Sequence, residues 1–278
     1  MIKRVLKNRI FLLVAVLLLV VLIVWIVWGN TALELNTVSV TSKNLPKAFS
    51  GYRIAHVSDL HNTRIGEGNE KLLSVIESAN PDIIAITGDI IDSRNTNVDI
   101  ALDFAKRAVE IAPCYYVTGN HESRVEDCFT KLESGLMELG VTVLRNGKSI
   151  LEHKGEAITV IGLDDPSFDV DADETLNSLT GEDDGFTLLL SHRPELFDTY
   201  CANGIDLALS GHTHGGQFRL PFVGGIIAPN QGLLPKYDAG LYTNGDTNMV
   251  ISRGIGNSLF PFRFNNRPEV VLIELEVK

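Results

Sequence analysis

The sequence predicts an α/β domain that follows a single membrane-spanning helix. Residues 10–28 form an apolar run without a charged side chain. The rest of the chain alternates short apolar runs, which are typical of buried strands, with amphipathic segments of helical period. Several apolar runs end at Asp, Asn or His. We therefore expect polar side chains at the carboxyl ends of the strands, where open α/β sheets bind ligands.

The apolar N-terminal run is the first element. As a helix with a rise of about 1.5 Å per residue, residues 10–28 would span roughly 28 Å, close to the hydrocarbon thickness of a bilayer. Lys3, Arg4, Lys7 and Arg9 precede the run without an acidic residue. The positive-inside rule then keeps the N-terminus in the cytoplasm and places the chain after the run on the extracytoplasmic side of the cell membrane. A cleaved secretory signal is the alternative, but the run exceeds the usual apolar length of about 7–15 residues.

These observations divide the chain into four segments. They are a cytoplasmic basic N-terminus (residues 1–9), a transmembrane signal-anchor helix (10–28), a tether with a first strand (29–50) and one large domain (51–278). Within the domain, three amphipathic segments predict helices, at residues 69–79, 98–111 and 125–139. The second half is richer in strands, of which residues 158–162, 249–252 and 270–277 are the clearest.

Five apolar runs lead directly into residue types that bind metals. The runs are residues 52–58, 82–87, 114–118, 186–191 and 205–210. They are followed by Asp59-Leu60-His61, Gly88-Asp89, Gly119-Asn120-His121-Glu122, His192 and Gly211-His212-Thr213-His214. Carboxylate and imidazole groups suit divalent manganese, iron or zinc, and this many of them suit two ions that share a bridging ligand. We expect five strands of one sheet to deliver these residues to one edge. His56 lies inside the first run, and for it we predict a hydrogen-bonded structural role.

The order of these motifs resembles the calcineurin-like metallophosphoesterase superfamily over residues 54–267. The Asp-Leu-His form, residues 211–217 (Gly-His-Thr-His-Gly-Gly-Gln) and residues 263–269 (Arg-Phe-Asn-Asn-Arg-Pro-Glu) are similar to its membrane-associated bacterial branch. That branch includes cell-wall-associated phosphoesterase-like proteins, and part of it resembles lipid-sugar pyrophosphatases. The resemblance implies a four-layer α/β/β/α sandwich as the fold.

The resemblance also implies a ligand set for two divalent metal ions. One ion would be held by Asp59, His61 and His214, the other by Asn120, His192 and His212, with Asp89 as the bridge. Mn²⁺ is the expected ion, and Fe²⁺, Zn²⁺ or Co²⁺ are alternatives. After subtraction of two carboxylates and a hydroxide, the site keeps about one positive charge, which attracts a phosphoryl group.

The reaction implied by this site is hydrolysis of a phosphate ester or pyrophosphate bond by in-line attack of a metal-bound hydroxide. His121 follows a predicted ligand without being one, so it is the candidate general acid for the leaving oxygen. Arg64, Arg124 and Arg193 lie beside the motifs. They are candidate substrate contacts because guanidinium matches phosphate geometry, and surface ion pairs are the alternative.

Charge and apolar composition limit the partners. After the first 30 residues, 20 Lys and Arg stand against 35 Asp and Glu, which argues against nucleic acid. Residues 218–227 and 259–264 are rich in Phe, Leu and Ile. On a tethered domain they would form either a lipid-facing rim or ordinary core. A phosphorylated small molecule and a lipid-linked or cell-envelope substrate therefore both remain open, as do two other functions, a nucleotide phosphodiesterase and a non-catalytic metal-binding scaffold.

Overall fold

Two six-stranded sheets face each other in the computed structural model, which describes residues 2–181, 185–257 and 260–278. The first sheet has the order β1 (Glu34–Ser42), β16 (Glu269–Val277), β2 (Arg53–Val57), β3 (Ile83–Thr87), β4 (Cys114–Val117) and β5 (Thr142–Val143). The second has the order β14 (Gly240–Asn244), β15 (Thr247–Ile251), β9 (Leu207–Ser210), β8 (Thr187–Ser191), β7 (Glu156–Leu163) and β6 (Gly147–His153). Strands β2 to β5 are parallel, as are β7, β8, β9 and β15.

Helices cover the outer face of each sheet. The first sheet carries α2 (Glu70–Ser78), α3 (Val98–Ala108) and α4 (Glu126–Glu138), and the second carries α5 (Ala172–Leu179) and α6 (Phe197–Ala202). Phe104 of α3 and Leu132 of α4 are fully buried in the cluster between these helices and the first sheet. Leu176 of α5 is fully buried in the corresponding cluster of the second sheet. A third apolar cluster, which includes Ile54 and Leu188, fills the space between the sheets. The four-layer α/β/β/α prediction is confirmed.

The five strands that precede the motifs belong to two sheets, so the prediction of a single sheet is wrong. Strands β2, β3 and β4 lie in the first sheet, whereas β8 and β9 lie in the second. All five are buried along their whole length or nearly so. A strand that is buried on both faces has no polar alternation, and its sequence therefore does not show which sheet it joins.

The N-terminal helix is longer than predicted. Helix α1 (Ile2–Thr31) includes a segment, Leu6–Thr31, that is long and apolar enough to cross a bilayer. Two residues then separate it from β1, which pairs with β16 along its full length. Residues 34–42 are thus an edge strand of the first sheet.

The end of α1 is held against the domain. Asn30 Oδ1 accepts the backbone N–H of Arg263 at 2.6 Å, and Asn30 Nδ2 donates to the carbonyl of Arg263 at 2.9 Å. The Trp25 and Phe264 rings meet edge to face with centroids 4.9 Å apart, and the guanidinium of Arg267 lies 4.7 Å from the Trp28 ring centroid. The end of α1 is therefore attached to residues 263–267.

Two short hairpins follow the last motif. They are β10 (Arg219–Leu220) with β11 (Gly224–Gly225), and β12 (Ile227–Ala228) with β13 (Gly232–Leu233). Both carry exposed apolar side chains, including Phe222, Val223 and Leu233. Most side chains of the two apolar stretches, residues 218–227 and 260–264, are therefore not part of the core. Leu259 is not among the residues that the structure describes.

Candidate metal centre

Backbone strain marks the loops that carry the predicted ligands. Asp59, His61, Asp89, His212 and His214 all have left-handed backbones, with φ between 47° and 70°. Such a conformation costs on the order of 1–3 kcal/mol for a non-glycine residue and persists only where surrounding contacts enforce it. The loops thus place these five side chains in positions that an unstrained strand end would not reach.

Glycines allow the loops to approach the carboxylates. A Cβ on Gly211 would lie 2.4 Å from Asp59 Oδ2, and one on Gly119 would lie 2.3 Å from Asp89 Oδ1. The backbone N–H of His212 donates to Asp59 Oδ2 at 3.1 Å, which joins a loop of the second sheet to one of the first. Close packing across the two sheets therefore requires a glycine directly before His212.

The first ligand cluster consists of Asp59, His61 and His214. One potential ligand atom from each lies within 4.8 Å of the others. His61 Nε2 is 3.2 Å from His214 Nε2, which in turn is 3.4 Å from Asp59 Oδ1. Asp59 Oδ1 is buried and has no hydrogen-bond partner in the described part of the chain. A buried carboxylate oxygen that faces two imidazoles without a partner fits a cation between them.

The second cluster consists of Asp89, His192 and His212, again with ligand atoms within 4.8 Å of one another. His192 Nδ1 donates to the carbonyl of Thr87 at 2.7 Å. This contact leaves Nε2 to act as a ligand, and Nε2 is buried without a hydrogen-bond partner among the described residues.

Asn120 completes the second cluster. One end of its carboxamide lies 2.9 Å from His212 Nδ1. The nitrogen end would make a hydrogen bond there, whereas the oxygen end would share a cation with the imidazole. His212 Nε2 lies 3.1 Å from Asn230 Oδ1, an acceptor that fixes the ring and leaves Nδ1 for the metal.

Asp89 lies between the two clusters. Its Oδ2 is 3.7 Å from His61 Nε2 and 3.2 Å from His192 Nε2. The structure therefore brings all seven predicted ligands together around two adjacent positions, and their donor atoms fit two divalent ions with a bridging carboxylate.

The charges of the cluster shift its pKa values. Burial by itself raises the pKa of Asp59, but His214 and His61 lower it below its usual range. Burial likewise opposes ionisation of Asp89, whose pKa His192 nevertheless lowers well below the usual value. Despite burial, Asp89 raises the pKa of His192 to about 10. Two ionised carboxylates in a buried site attract positive charge, which bound cations would supply.

His121 is directed into the same cavity. Its Nδ1 accepts the backbone N–H of Ser93 at 3.0 Å, so the ring proton of the neutral form resides on Nε2. Its backbone N–H donates to Asp89 Oδ1 at 2.7 Å. Burial lowers the pKa of His121 to about 4, against the opposing effect of Asp89. The side chain is thus oriented as a donor through Nε2.

A cavity of about 260 Å³, which we call the metal cavity, opens over these residues. Its lining includes Asp89, Asn120, His121, His212 and His214, together with Arg124 and Arg193. Arg64 is exposed and is not part of the lining. Two of the three predicted arginines are therefore brought to the site.

Arg193 is a buried ion-pair partner and not a free phosphate contact. It donates to both oxygens of Asp165, at 2.5 and 2.9 Å, and its Nη1 lies 2.9 Å from His212 Nε2. Only 7% of the residue is exposed. The ion pair with Asp165 holds its guanidinium, whereas the exposed Arg124 can reach substrate.

Three buried side chains contact the predicted ligands or their loops: Asp92, Glu122 and Arg263. Asp92 Oδ2 is 3.8 Å from His61 Nδ1, and its Oδ1 is 3.8 Å from His121 Nδ1. The sequence analysis did not identify Asp92 as a site residue, although it lies only three residues after the predicted ligand Asp89. Arg263 is fully buried, donates to the carbonyls of Gly256 and Arg253, and lies 3.4 Å from His214 Nδ1. Glu122 was identified only through its place beside His121. The sequence pattern did not indicate that its side chain is fully buried.

His56 stays within the sheet, as predicted. Its Nε2 lies 2.8 Å from Thr87 Oγ1, and the ring is fully buried. Burial lowers its pKa to about 3, which keeps the imidazole neutral. It is a structural histidine next to the metal centre.

Comparison with known proteins agrees with this geometry. The family model of the calcineurin-like phosphoesterases matches residues 52–216. The chain is 34% identical to the metallophosphoesterase YkuE of Bacillus subtilis over 86% of this chain and 84% of that protein. It is 31% identical to the phosphodiesterase YaeI of Escherichia coli, covering 81% of this chain and 82% of YaeI. A Danio rerio protein named as a transmembrane protein with a metallophosphoesterase domain is 29% identical over 86% of this chain and 56% of its own length.

Proposed function

The chain belongs to the calcineurin-like phosphoesterase family, and on that premise we propose that it is a membrane-anchored phosphoesterase with two divalent metal ions. The family membership makes it a metal-dependent hydrolase of phosphoester bonds. The proposal adds the ligand residues, the general acid, the anchor and the side of the membrane. One observation carries it: Asp89 Oδ2 lies within 4 Å of a histidine from each cluster, His61 at 3.7 Å and His192 at 3.2 Å.

Each cluster would hold one ion. Asp59, His61 and His214 would bind the first, Asn120, His192 and His212 the second, and Asp89 both. Bound divalent ions would supply positive charge for the phosphoryl oxygens and lower the pKa of a water nucleophile. Mn²⁺ is the ion we propose, because oxygen and nitrogen ligands accept it, and Fe²⁺, Zn²⁺ and Co²⁺ are the alternatives.

The chain's own residues orient the substrate and supply a proton. Arg124 lies exposed at the metal cavity, where its guanidinium can bind a phosphoryl oxygen. The Nε2 proton of His121 can be donated to the leaving oxygen, while Ser93 holds Nδ1. A bound phosphate anion raises the pKa of the buried imidazole toward the value that a general acid requires.

We propose that α1 anchors the protein in the cell membrane with its N-terminus in the cytoplasm. The basic residues before the apolar run support this orientation, and the relative from Danio rerio is named a transmembrane protein. The catalytic domain, taken as residues 34–278, would then act outside the cytoplasm on a phosphoester presented at the membrane or in the cell envelope.

A nucleotide phosphodiesterase is the second candidate. The name of YaeI, a phosphodiesterase, favours cleavage of a diester over a monoester. This candidate differs in its substrate and not in its metal site, so substrate preference distinguishes the two.

The test is turnover by the full chain, purified without metal and reloaded separately with Mn²⁺, Fe²⁺, Zn²⁺, Co²⁺ or Mg²⁺. Monoesters, diesters and pyrophosphates, both lipid-linked and soluble, form the substrate panel. We expect turnover that depends on added metal and is abolished in Asp89→Asn, while Asp82→Asn, at the opposite end of β3 and outside the metal cavity, stays active. Preference for cyclic nucleotides would select the second candidate.

A protease-protection assay on intact cells tests the orientation. We expect external protease to remove the catalytic domain, since it would lie outside the cytoplasm. Complete protection in intact cells, with cleavage after lysis, would reverse the proposed topology.

A further inference from the structure

An apolar cavity adjoins the metal cavity. It has a volume of about 270 Å³, and its walls include Ile227, Ala228 and Phe260. His214, Pro229 and Asn230 line both cavities, so the two share a wall at a predicted metal ligand. A group bound to the metals could therefore extend into the apolar cavity without leaving the protein.

Three polar side chains of this lining already make contacts within the protein. Thr213 Oγ1 donates to the carbonyl of Asp238 at 2.7 Å, and Gln217 Nε2 donates to the carbonyl of Phe262 at 2.8 Å. Asn230 Oδ1 lies 3.1 Å from His212 Nε2. A sugar or a nucleobase needs hydrogen-bond partners in a buried site, whereas a hydrocarbon chain needs none.

Exposed apolar side chains lie on and near the hairpin that carries the cavity wall, where Leu233 pairs with Ile227. We call the following residues, each at least 42% exposed, the apolar rim: Leu220, Phe222, Val223, Leu233, Leu234 and Phe262. Soluble surfaces seldom concentrate large apolar side chains in this way unless the patch contacts another apolar phase. Leu220, Phe222, Val223, Leu233 and Leu234 belong to the two short hairpins or directly follow them. Phe262 lies in residues 260–268, before β16.

The rim is connected to the membrane helix. The Phe218 ring contacts the rings of Phe260 and Phe262 at centroid distances of 5.4 and 5.5 Å. Phe218 also forms a β-bridge with Phe264, whose ring meets Trp25 of α1. Tryptophan near the end of a spanning helix marks the membrane interface. These contacts therefore link Phe262 of the rim to Trp25 of α1.

We propose that the apolar cavity binds one hydrocarbon chain of a membrane lipid whose phosphate group occupies the metal cavity. The substrate class would then be a lipid phosphoester. This inference rests on the proposed function and specifies its substrate. The cavity is slightly smaller than the roughly 300 Å³ at which small-molecule sites begin, so it fits a segment of one chain and not a whole lipid.

The test uses 4-nitrophenyl phosphodiesters with a methyl, hexyl or decyl group as the second ester. The full chain is kept soluble by an amphipathic polymer and loaded with Mn²⁺. Each methylene that leaves water should raise kcat/KM by about fourfold, until the cavity is full. We expect at least a ~30-fold rise from methyl to hexyl and little further gain at decyl.

Two variants decide whether the cavity causes the rise. Ile227→Trp fills it and Phe260→Ser opens one wall, and each should reduce the hexyl-to-methyl ratio of kcat/KM at least ~10-fold. Ile150→Ser, at an exposed isoleucine of β6, is the matched control and should keep the wild-type ratio. Metal content equal to wild type shows that a variant is folded.

The outcomes separate this inference from the proposed function. Equal turnover of the three esters by wild type, or a ratio that both cavity variants retain, overturns the chain site and means that the cavity receives a polar group or a protein segment. Absence of turnover for every ester with every metal contradicts the phosphoesterase proposal and, with it, this inference.

Discussion

The carboxylate of Glu122 accepts the backbone N–H of Asp89 at 3.0 Å, so the loop after β4 fixes the loop after β3. The same carboxylate accepts the N–H groups of Gly119 at 2.9 Å, Ile90 at 2.8 Å and Ile91 at 3.3 Å. Burial and the nearby Asp89 raise the pKa of Glu122 to about 7, an effect that the backbone donors oppose. One fully buried side chain thus holds the proposed bridging ligand in its strained conformation.

Glu122→Gln should weaken metal binding without removing a ligand. The amide replaces one acceptor oxygen by a donor that faces backbone N–H groups. Hydrogen bonds to a charged group contribute about 1.5–3 kcal/mol, so we expect the free energy of unfolding to fall by roughly 2–3 kcal/mol. Metal affinity should fall ~10–100-fold, as for other residues that support ligands. Metal titration and urea denaturation measure both effects. The exposed Glu126→Gln is the control, and wild-type affinity in Glu122→Gln would contradict this role.

His121→Ala and Asn120→Ala should separate proton donation from metal binding. We expect His121→Ala to keep its metal and lose about 10²–10⁴-fold in kcat, most strongly on substrates with poor leaving groups. Asn120→Ala should lose metal from the second cluster. Elemental analysis and turnover of aryl and alkyl esters provide the measurements. The two roles are exchanged if His121→Ala loses metal while Asn120→Ala retains it.

Asp92→Asn should lower turnover through the orientation of His61. The carboxylate lies 3.8 Å from ring nitrogens of both His61 and His121. Loss of its charge removes the interaction with His61 Nδ1 that favours ligation through Nε2, and we expect kcat to fall ~10–100-fold. Steady-state kinetics at saturating metal provide the measurement. The exposed Asp99→Asn on α3 is the control, and unchanged kcat in Asp92→Asn would show that His61 is held by other contacts.

Arg193 and Arg124 should differ in which kinetic constant they affect. Arg124→Ala removes a proposed phosphate contact, so KM should rise by about one order of magnitude or more with metal content unchanged. Arg193→Ala leaves Asp165 buried and unpaired, which costs on the order of 3–5 kcal/mol of stability. Thermal melting and metal analysis should therefore distinguish them. A pure KM effect in Arg193→Ala would make it a substrate contact instead.

Removal of metal should lower thermal stability. Asp59 and Asp89 are buried carboxylates near each other, and bound cations would offset their repulsion. Metal at 100 times its Kd should stabilise the folded protein by about 2.7 kcal/mol. Scanning calorimetry with and without a chelator measures the change in Tm. Asp59→Asn should reduce this response, and an equal Tm in both conditions for wild type would argue against tight metal binding.

Much of the site follows from local sequence pattern. Each predicted ligand lies in a short motif that directly follows an apolar run, and such a run predicts a strand wherever it lies in the fold. The helices at residues 69–79, 98–111 and 125–139 were predicted to within three residues of α2, α3 and α4 at each end. These elements depend on periodicity over neighbouring residues, which the sequence displays directly.

The residues that contact the ligands from other loops were harder to predict from the sequence. Arg263 follows its nearest ligand, His214, by about fifty positions, yet the two side chains meet. Arg193 was a candidate for either a substrate contact or a surface ion pair because it follows His192, and its guanidinium pairs with the buried Asp165. Neither contact has a local signal, because both form only when loops from separate elements pack together.

The sequence alone determined the strands, the ligand types and the apolar N-terminal helix, since these depend on side-chain chemistry and short-range periodicity. Tertiary structure decided that β2 and β9 lie in different sheets while the loops after them meet, and that the end of α1 is held against Arg263 and Phe264. These relationships arise from packing between residues far apart in the chain, where burial and close approach, and not local pattern, set the geometry.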